Sequence, residues 1–277
     1  MITAAFTCTG PYVILILTGI KAVENRSQTP VPGKGRCAIS CSKKFGAEEY
    51  GRLVEWASRS LPPEDFERIP AWVDVKDWPG KVVGCCDYAA RPESAPYRGV
   101  AREPWDEGYG NWWDLSEVTV LERPIPCRGN VGMWEMPPDL AAQVTAADEL
   151  ARSCEVPIRT VEAAAKLFRL AMPVVGGVEG FFVLPLDGER RPIAAPILAS
   201  LGTESNTTTV DVGDVFREAL AVGAEAMIVA HNHPGGTLRA SADDLKLTRV
   251  LQNAAELLGV KLLDHLIVTG DGFVRCG

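Results

Sequence analysis

The apolar and polar positions of the C-terminal 120 or so residues fall into successive helical and strand periods. From Thr160, Ala163, Leu167 and Leu170 share one helical face behind a residue of N-cap type. Gly176-Gly177 releases the chain into Phe181–Leu186, a strand expected to end at the hairpin dipeptide Asp187-Gly188 and to pair with Pro192–Ser200. Val212, Phe216, Ala219 and Leu220 recur at helical spacing, and Gly223 follows as a C-cap. Ala226–Ala230 is an unbroken apolar run, the pattern of a strand covered on both faces. Leu247, Val250, Leu251, Ala254 and Leu258 then mark a helix ending at Gly259, and Lys261–Val268 a last strand.

The first 138 residues are less regular. Tyr12–Thr18 is apolar in either period and stays open between helix and strand until Gly19 closes it. Gly80–Tyr88, Val118–Glu122 and Gly129–Met136 read as strands. Pro137-Pro138 ends this part, and Asp139–Arg152 carries Leu140, Val144 and Leu150 in an Ala-rich helical pattern that predicts a connector. All seven Trp lie from Trp56 to Trp134 and all three His from His231 onward. That segregation supports two domains, 1–138 and 158–277, joined by a helical linker over 139–157.

Length and charge narrow the classes. A chain of 277 residues is comfortable for two cores. The net charge of −8 divides into −2 before Asp139 and −6 from there on, so neither part has the basic excess of a protein that grips a duplex by its phosphates. A nucleic-acid partner would be bound locally, in a small groove. The eight cysteines form no CxxC pair; buried reduced thiols are the expectation, with a metal held by Cys37, Cys41, Cys85 and Cys86 as the alternative. Adjacent Cys85 and Cys86 point to opposite faces of a strand, which weighs against it. No apolar run reaches the ~20 residues of a membrane helix. A soluble, cytoplasmic protein without a membrane partner is predicted.

The chemistry concentrates at His231-Asn232-His233-Pro234, followed by Ser241 and Asp244. Residues two apart in an extended segment face the same side, so His231 and His233 can present two imidazoles to one point. Pro234 and Gly235-Gly236 turn the chain, and Asp244 falls in the first turn of the next helix. Two imidazoles and a carboxylate with an open fourth position is the donor set of a catalytic zinc site, which makes hydroxide available near neutral pH. The same Ser241-x-x-Asp244 spacing is also a capping box that needs no metal.

His231 through Asp244, with Leu262-Leu263-Asp264-His265, resembles the H-x-H-x7-S-x2-D signature of the JAB/MPN (JAMM motif) metalloprotease fold, closest to its RadC-like branch. The resemblance runs from about Arg159 to Val274 and implies an α/β domain with a deaminase-like layered sheet. It implies zinc on His231, His233 and Asp244, Ser241 as stabiliser of the oxyanion, and Glu179 as general base for hydrolysis of an amide. Gly235 and Ala240 depart from the usual Ser and Pro of that branch, which bears on the loop and not on a ligand. His265 reads as a core or supporting histidine.

The first part resembles the ASCH family of small α+β, PUA-like β-barrels, through Gly19-x-Lys21-x-x-Glu24-x-Arg26, the strand Gly35–Ser40 and the segment Gly129–Trp134. That resemblance implies binding of RNA or a modified nucleoside, with Lys21, Glu24 and Arg26 as the contacts. Alternatively the three form a local ion-pair cluster bracing the turn. The Trp residues serve as core filler or as base-stacking platforms.

Taken together, the predicted protein is a zinc-dependent hydrolase of amide or isopeptide bonds in a protein or peptide substrate, with an attached RNA- or nucleoside-binding domain. Two rivals stand beside it. One is a nucleic-acid-associated factor, in keeping with the DNA-repair sense of the RadC name, whose JAB part holds a metal without turnover. The other is an acylated-nucleoside amidohydrolase acting through Lys21.

Overall fold

The computed structural model describes residues 1–8, 10–26, 33–90, 111–175, 177–202 and 210–277. The chain forms two compact units, Met1–Asp148 and Glu149–Gly277, divided inside a helix.

In the first unit the elements run β1 (Ala4–Cys8), α1 (Tyr12–Leu17), β2 (Val23–Arg26), β3 (Lys34–Cys41), α2 (Ala47–Ser60), the short α3 (Pro63–Phe66) and α4 (Trp72–Val75), β4 (Lys81–Ala90), β5 (Asn111–Pro126), β6 (Met133–Glu135) and α5 (Pro138–Ser153). The strands make a six-stranded mixed sheet in the order β2-β5-β4-β3-β1-β6. Only β1 and β3 pair in parallel; the other pairings are antiparallel. Strand alternation feeds two cores. Phe6, Cys37, Ile39, Val83 and Cys86 face Val13–Leu17, Leu53 and Val75, whereas Ala5, Ala38, Val82 and Cys85 face Leu140, Ala141 and Val144 of α5.

The open segment Tyr12–Thr18 is thus a helix, and Val13–Leu17 are all buried, which is why no period shows in it. Cys85 and Cys86 do point to opposite faces, Cys86 lying 3.9 Å from Cys37. All eight cysteines are free thiols, and none of Cys37, Cys41, Cys85 and Cys86 belongs to a metal-competent group among the described residues. The strand expected over Gly129–Met136 is confined to Met133–Glu135. The PUA-like barrel expectation is met here as far as a six-stranded mixed sheet.

Asp148 on α5 is held by Arg36 through two bonds, Nε–Oδ2 at 2.7 Å and Nη2–Oδ1 at 2.6 Å. Arg36 Nη1 donates to Asp87 at 2.9 Å and to the Glu117 carbonyl, and Thr119 donates to Asp148 over 2.5 Å. Burial works against the Arg36 charge, but the Asp148 and Asp87 carboxylates outweigh it and raise its pKa. Glu117 takes a left-handed backbone (φ 46°), an irregular point in β5 that turns its carbonyl to the guanidinium.

The second unit contains α6 (Val161–Ala171), β7 (Gly180–Leu186), β8 (Ile197–Leu201), α7 (Val212–Ala221), β9 (Ala226–Asn232), α8 (Ala242–Leu258), β10 (Lys261–Val268) and β11 (Phe273–Arg275), with a short 3-10 turn at Met172–Val175. The sheet order is β11-β10-β9-β7-β8; β9 and β10 are parallel and the remaining pairs antiparallel. One face packs Phe182, Leu184, Ile228, Ala230 and Leu266 under Leu167 and Phe168 of α6. The other packs Phe181, Val183, Met227 and Val229 under Val215, Phe216, Leu251 and Ala255 of α7 and α8. The apolar run in β9 therefore serves two cores, as an α/β layered domain requires. After the Asp187 turn the partner strand begins only at Ile197, with Pro192 touching Leu186 in a single bridge.

Candidate metal centre

β9 ends where the chain must turn. His231 and Asn232 are its last residues, and His233 and the Pro-Gly-Gly segment follow. α8 starts at a capping box: Asp244 N–H donates to Ser241 Oγ (3.1 Å) and Ser241 N–H to Asp244 Oδ2 (2.7 Å). The helix ends at Gly259 in the left-handed region, φ 72°. The cap and the metal readings of Ser241-x-x-Asp244 do not compete. The capped carboxylate still has Oδ1 3.3 Å from His231 Nε2 and Oδ2 3.7 Å from His233 Nε2. The two Nε2 atoms are 3.0 Å apart, and one ligand atom from each of His231, His233 and Asp244 falls within 4.8 Å of the others.

The protons on these rings follow from counting donors. Thr248 Oγ1 gives its one proton to the Asp244 carbonyl, 2.7 Å away and one helical turn back, so it accepts from His265 Nδ1 at 2.7 Å. Burial pushes the His265 pKa down to about 3 and the neighbouring His231 adds to the effect, leaving the ring neutral with its proton on Nδ1. His265 Nε2 is then an acceptor, and His231 Nδ1–H donates to it over 3.0 Å. His231 Nε2 is left with a lone pair. His233 reaches the same state separately, because its Nδ1–H donates to the Thr237 carbonyl at 2.8 Å.

Two ring nitrogens and two carboxylate oxygens therefore converge, a set that needs a shared proton or a metal cation between its members. Such a set of acceptors is self-repelling without a cation and suits zinc, which takes imidazole nitrogen and carboxylate oxygen together. The Asp244 pKa lies well below the usual carboxylate range: burial raises it, but the hydrogen bonds to His231 and Ser241 win. A second group, His231, His265 and Cys276, is wholly buried. Burial pushes the Cys276 thiol up to about 12, so it stays protonated and is a poor ligand.

Glu179 precedes β7. Phe181 pairs with His231, and its ring stacks on the imidazole at 6.0 Å. Glu179 and His233 both lie two residues beyond that last paired position, Glu179 just before β7 and His233 just after β9. Asn232 pins both peptide groups flanking Glu179: its Nδ2 donates to the Val178 carbonyl and its Oδ1 accepts from Gly180 N–H, each at 2.8 Å. Gly202 N–H also donates to the Glu179 carbonyl at 2.7 Å.

Asn232, Thr248, Thr237 and Phe181 also serve the site, and none of them is marked by a motif in the sequence. Asn232 was legible only as the spacer of His-x-His. The other three meet the site through a strand pairing, a helix turn and a loop that have no local pattern.

In the first unit Lys21 and Glu24 are both buried and form an ion pair of 2.5 Å, with Lys21 Nζ also 5.2 Å from the centre of the Tyr12 ring. Arg26 lies on β2, but its side chain falls outside the described residues.

Residues 158–275 match the RadC-like JAB domain. A UPF0758 protein of Coprothermobacter proteolyticus is 37% identical over 139 residues, covering 46% of this chain and 58% of its own. One from Porphyromonas gingivalis is 38% identical over 143 residues (50% and 62%), and one from Carboxydothermus hydrogenoformans 45% over 96 residues (35% and 42%). The chain thus spans less than two thirds of the length of these relatives. Its residues 158–275 carry a RadC-like JAB domain.

Proposed function

Starting from the RadC-like JAB domain of residues 158–275, we propose that the second unit is a zinc-dependent hydrolase of amide or isopeptide bonds, with His231, His233 and Asp244 as the ligands. The observation that carries this reading is the convergence of two imidazole lone pairs and a carboxylate whose other hydrogen-bonding positions are already engaged. Zinc held there supplies a Lewis acid that activates water and polarises the carbonyl under attack.

The chain's own residues supply the rest. Glu179, held at both flanking peptides by Asn232, takes a proton from the attacking water and returns it to the leaving amine, so that amide and water become carboxylic acid and amine. Ser241 Oγ accepts from the Asp244 amide, and its own hydrogen remains available to the developing oxyanion. Capping and catalysis are compatible in one hydroxyl. The substrate is a protein or peptide amide.

A zinc-loaded full chain, assayed against amide and isopeptide reporter peptides, should cleave at least one, and Glu179→Gln should keep the metal and lose ~100-fold or more in turnover. Cleavage unaffected by Glu179→Gln would remove Glu179 as the base, and absence of cleavage with the metal in place would favour a metal-holding scaffold in a nucleic-acid-associated protein.

A second reading concerns the first unit. A buried Lys21–Glu24 pair is costly to desolvate and is a poor stabilising device, which favours a role in binding RNA or a modified nucleoside, or in deacylating one. If Lys21→Ala alone abolishes hydrolysis of an acylated nucleoside, that chemistry belongs to the first unit.

A further inference from the structure

The first unit has a cavity of about 540 Å³ where the end of β3, the start of β4 and the β5–β6 connection meet, well away in sequence from Lys21 and Glu24. Its volume is within the ~300–1,000 Å³ range of small-molecule sites. Every charged residue that lines it is a cation: Lys43, Lys44 and Arg128, with the hydroxyls of Thr7 and Ser42 beside them. In a chain of net charge −8 this is a local reversal of sign. None of the three makes an ion pair among the described residues.

The walls are built for close approach. A Cβ on Gly129 would sit 2.7 Å from Thr7 Oγ1, so only glycine lets this loop lie against the Thr7–Ser40 hydroxyl pair. The loop then presents backbone to the cavity, and the amides of Gly129–Gly132 have no protein acceptor among the described residues. Lys43 lays its stem over Gly80, where an added Cβ would come within 3.1 Å of Cε, so its aliphatic chain is already ordered. Val131 in the lining is fully exposed, an apolar side chain with nothing against it. Cations, hydroxyls and unengaged amides suit a phosphate, and Val131 suits an apolar or ring portion attached to it.

We propose that this cavity is a binding site for a phosphate-bearing small molecule of nucleotide size, with Lys43, Lys44 and Arg128 as its charged contacts. Adenosine 5′-monophosphate is the probe and inorganic phosphate the control, each titrated into the full-length 15N-labelled protein. The expected result is saturable shifts of the Gly129–Gly132 amides with the nucleotide, weaker shifts with phosphate alone, and affinity at least about tenfold lower in Arg128→Gln and in Lys43→Gln. All three cations are exposed residues, and an unchanged melting curve shows that each variant is folded. No saturable shift, or shifts that survive in both variants, would overturn the assignment. So would a single-stranded RNA oligomer that shifts these amides when the mononucleotide does not, because the site would then belong to a polymer.

Discussion

Replacing His265 by Leu removes a group that touches neither metal nor substrate in the proposed mechanism. Leu has a similar bulk, and the site is fully enclosed by Phe181 and His231, so the principal loss is polar. His231 Nδ1–H loses its acceptor at 3.0 Å and Thr248 its partner at 2.7 Å. A buried donor left unsatisfied costs ~1–3 kcal/mol, which sets the expected loss of stability in metal-free protein. The larger consequence is for the ligand. With no acceptor on the Nδ1 side, the His231 proton is no longer held away from Nε2, and the ring can turn about its side-chain torsions. Supporting partners of metal-bound histidines are worth ~10–100-fold in affinity, ~1.4–2.8 kcal/mol. Zinc affinity measured by competition with a chromophoric chelator should fall by that factor in His265→Leu, and by less in Thr248→Val, where only the next bond along is lost. An affinity within about twofold of the unmodified protein in both variants would refute the tautomer argument.

Four further outcomes follow from the same geometry. In metal-stripped protein, His265 is neutral when folded and protonated when unfolded between pH about 6.5 and about 3, so stability is full above pH about 6.5 and falls as the pH drops through that window, by up to ~1.4 kcal/mol per pH unit; denaturant titrations across it should show this slope, and His265→Leu should flatten it. Asn232→Ala should keep the metal but lower turnover, because the peptides on either side of Glu179 lose both anchors; unchanged turnover would disconnect Asn232 from Glu179. Ser241→Ala should cost ~1 kcal/mol in stability through the lost cap as well as activity, and Ser241→Thr should restore both. Arg36→Met should destabilise the first unit by ~3 kcal/mol, because Asp148 is left buried without its cation, and should leave zinc binding in the second unit unchanged.

What could be read in advance depended on how far apart the interacting residues lie along the chain. His231, His233 and Asp244 are close neighbours in sequence, and strand alternation followed by a capped helix is enough to bring them together. The elements that carry them, from Ala226 to Val268, were legible because each has a clean apolar period. Glu179 is different. Its place beside the end of β9 depends on an antiparallel pairing and on Asn232 bonds that span 52 and 54 residues, which periodicity does not encode. The Thr248–His265–His231 chain likewise joins a helix to two neighbouring strands. In the first unit, Tyr12–Leu17 hid its helical nature by burying nearly every side chain, and the short β6 follows a glycine loop held against Thr7 by contact and not by strand propensity. The Arg36–Asp148 bond joins residues 112 positions apart and leaves no local trace.

The central claim is that the end of β9 and the start of α8 form a metal centre and not only a turn and a cap. Elemental analysis of the purified full chain tests it most directly. About one zinc per chain, lost in His231→Ala and in His233→Ala while both variants remain folded, is the result predicted. Protein that holds no tightly bound metal after loading with zinc, or that holds it equally well without the two histidines, would contradict the account.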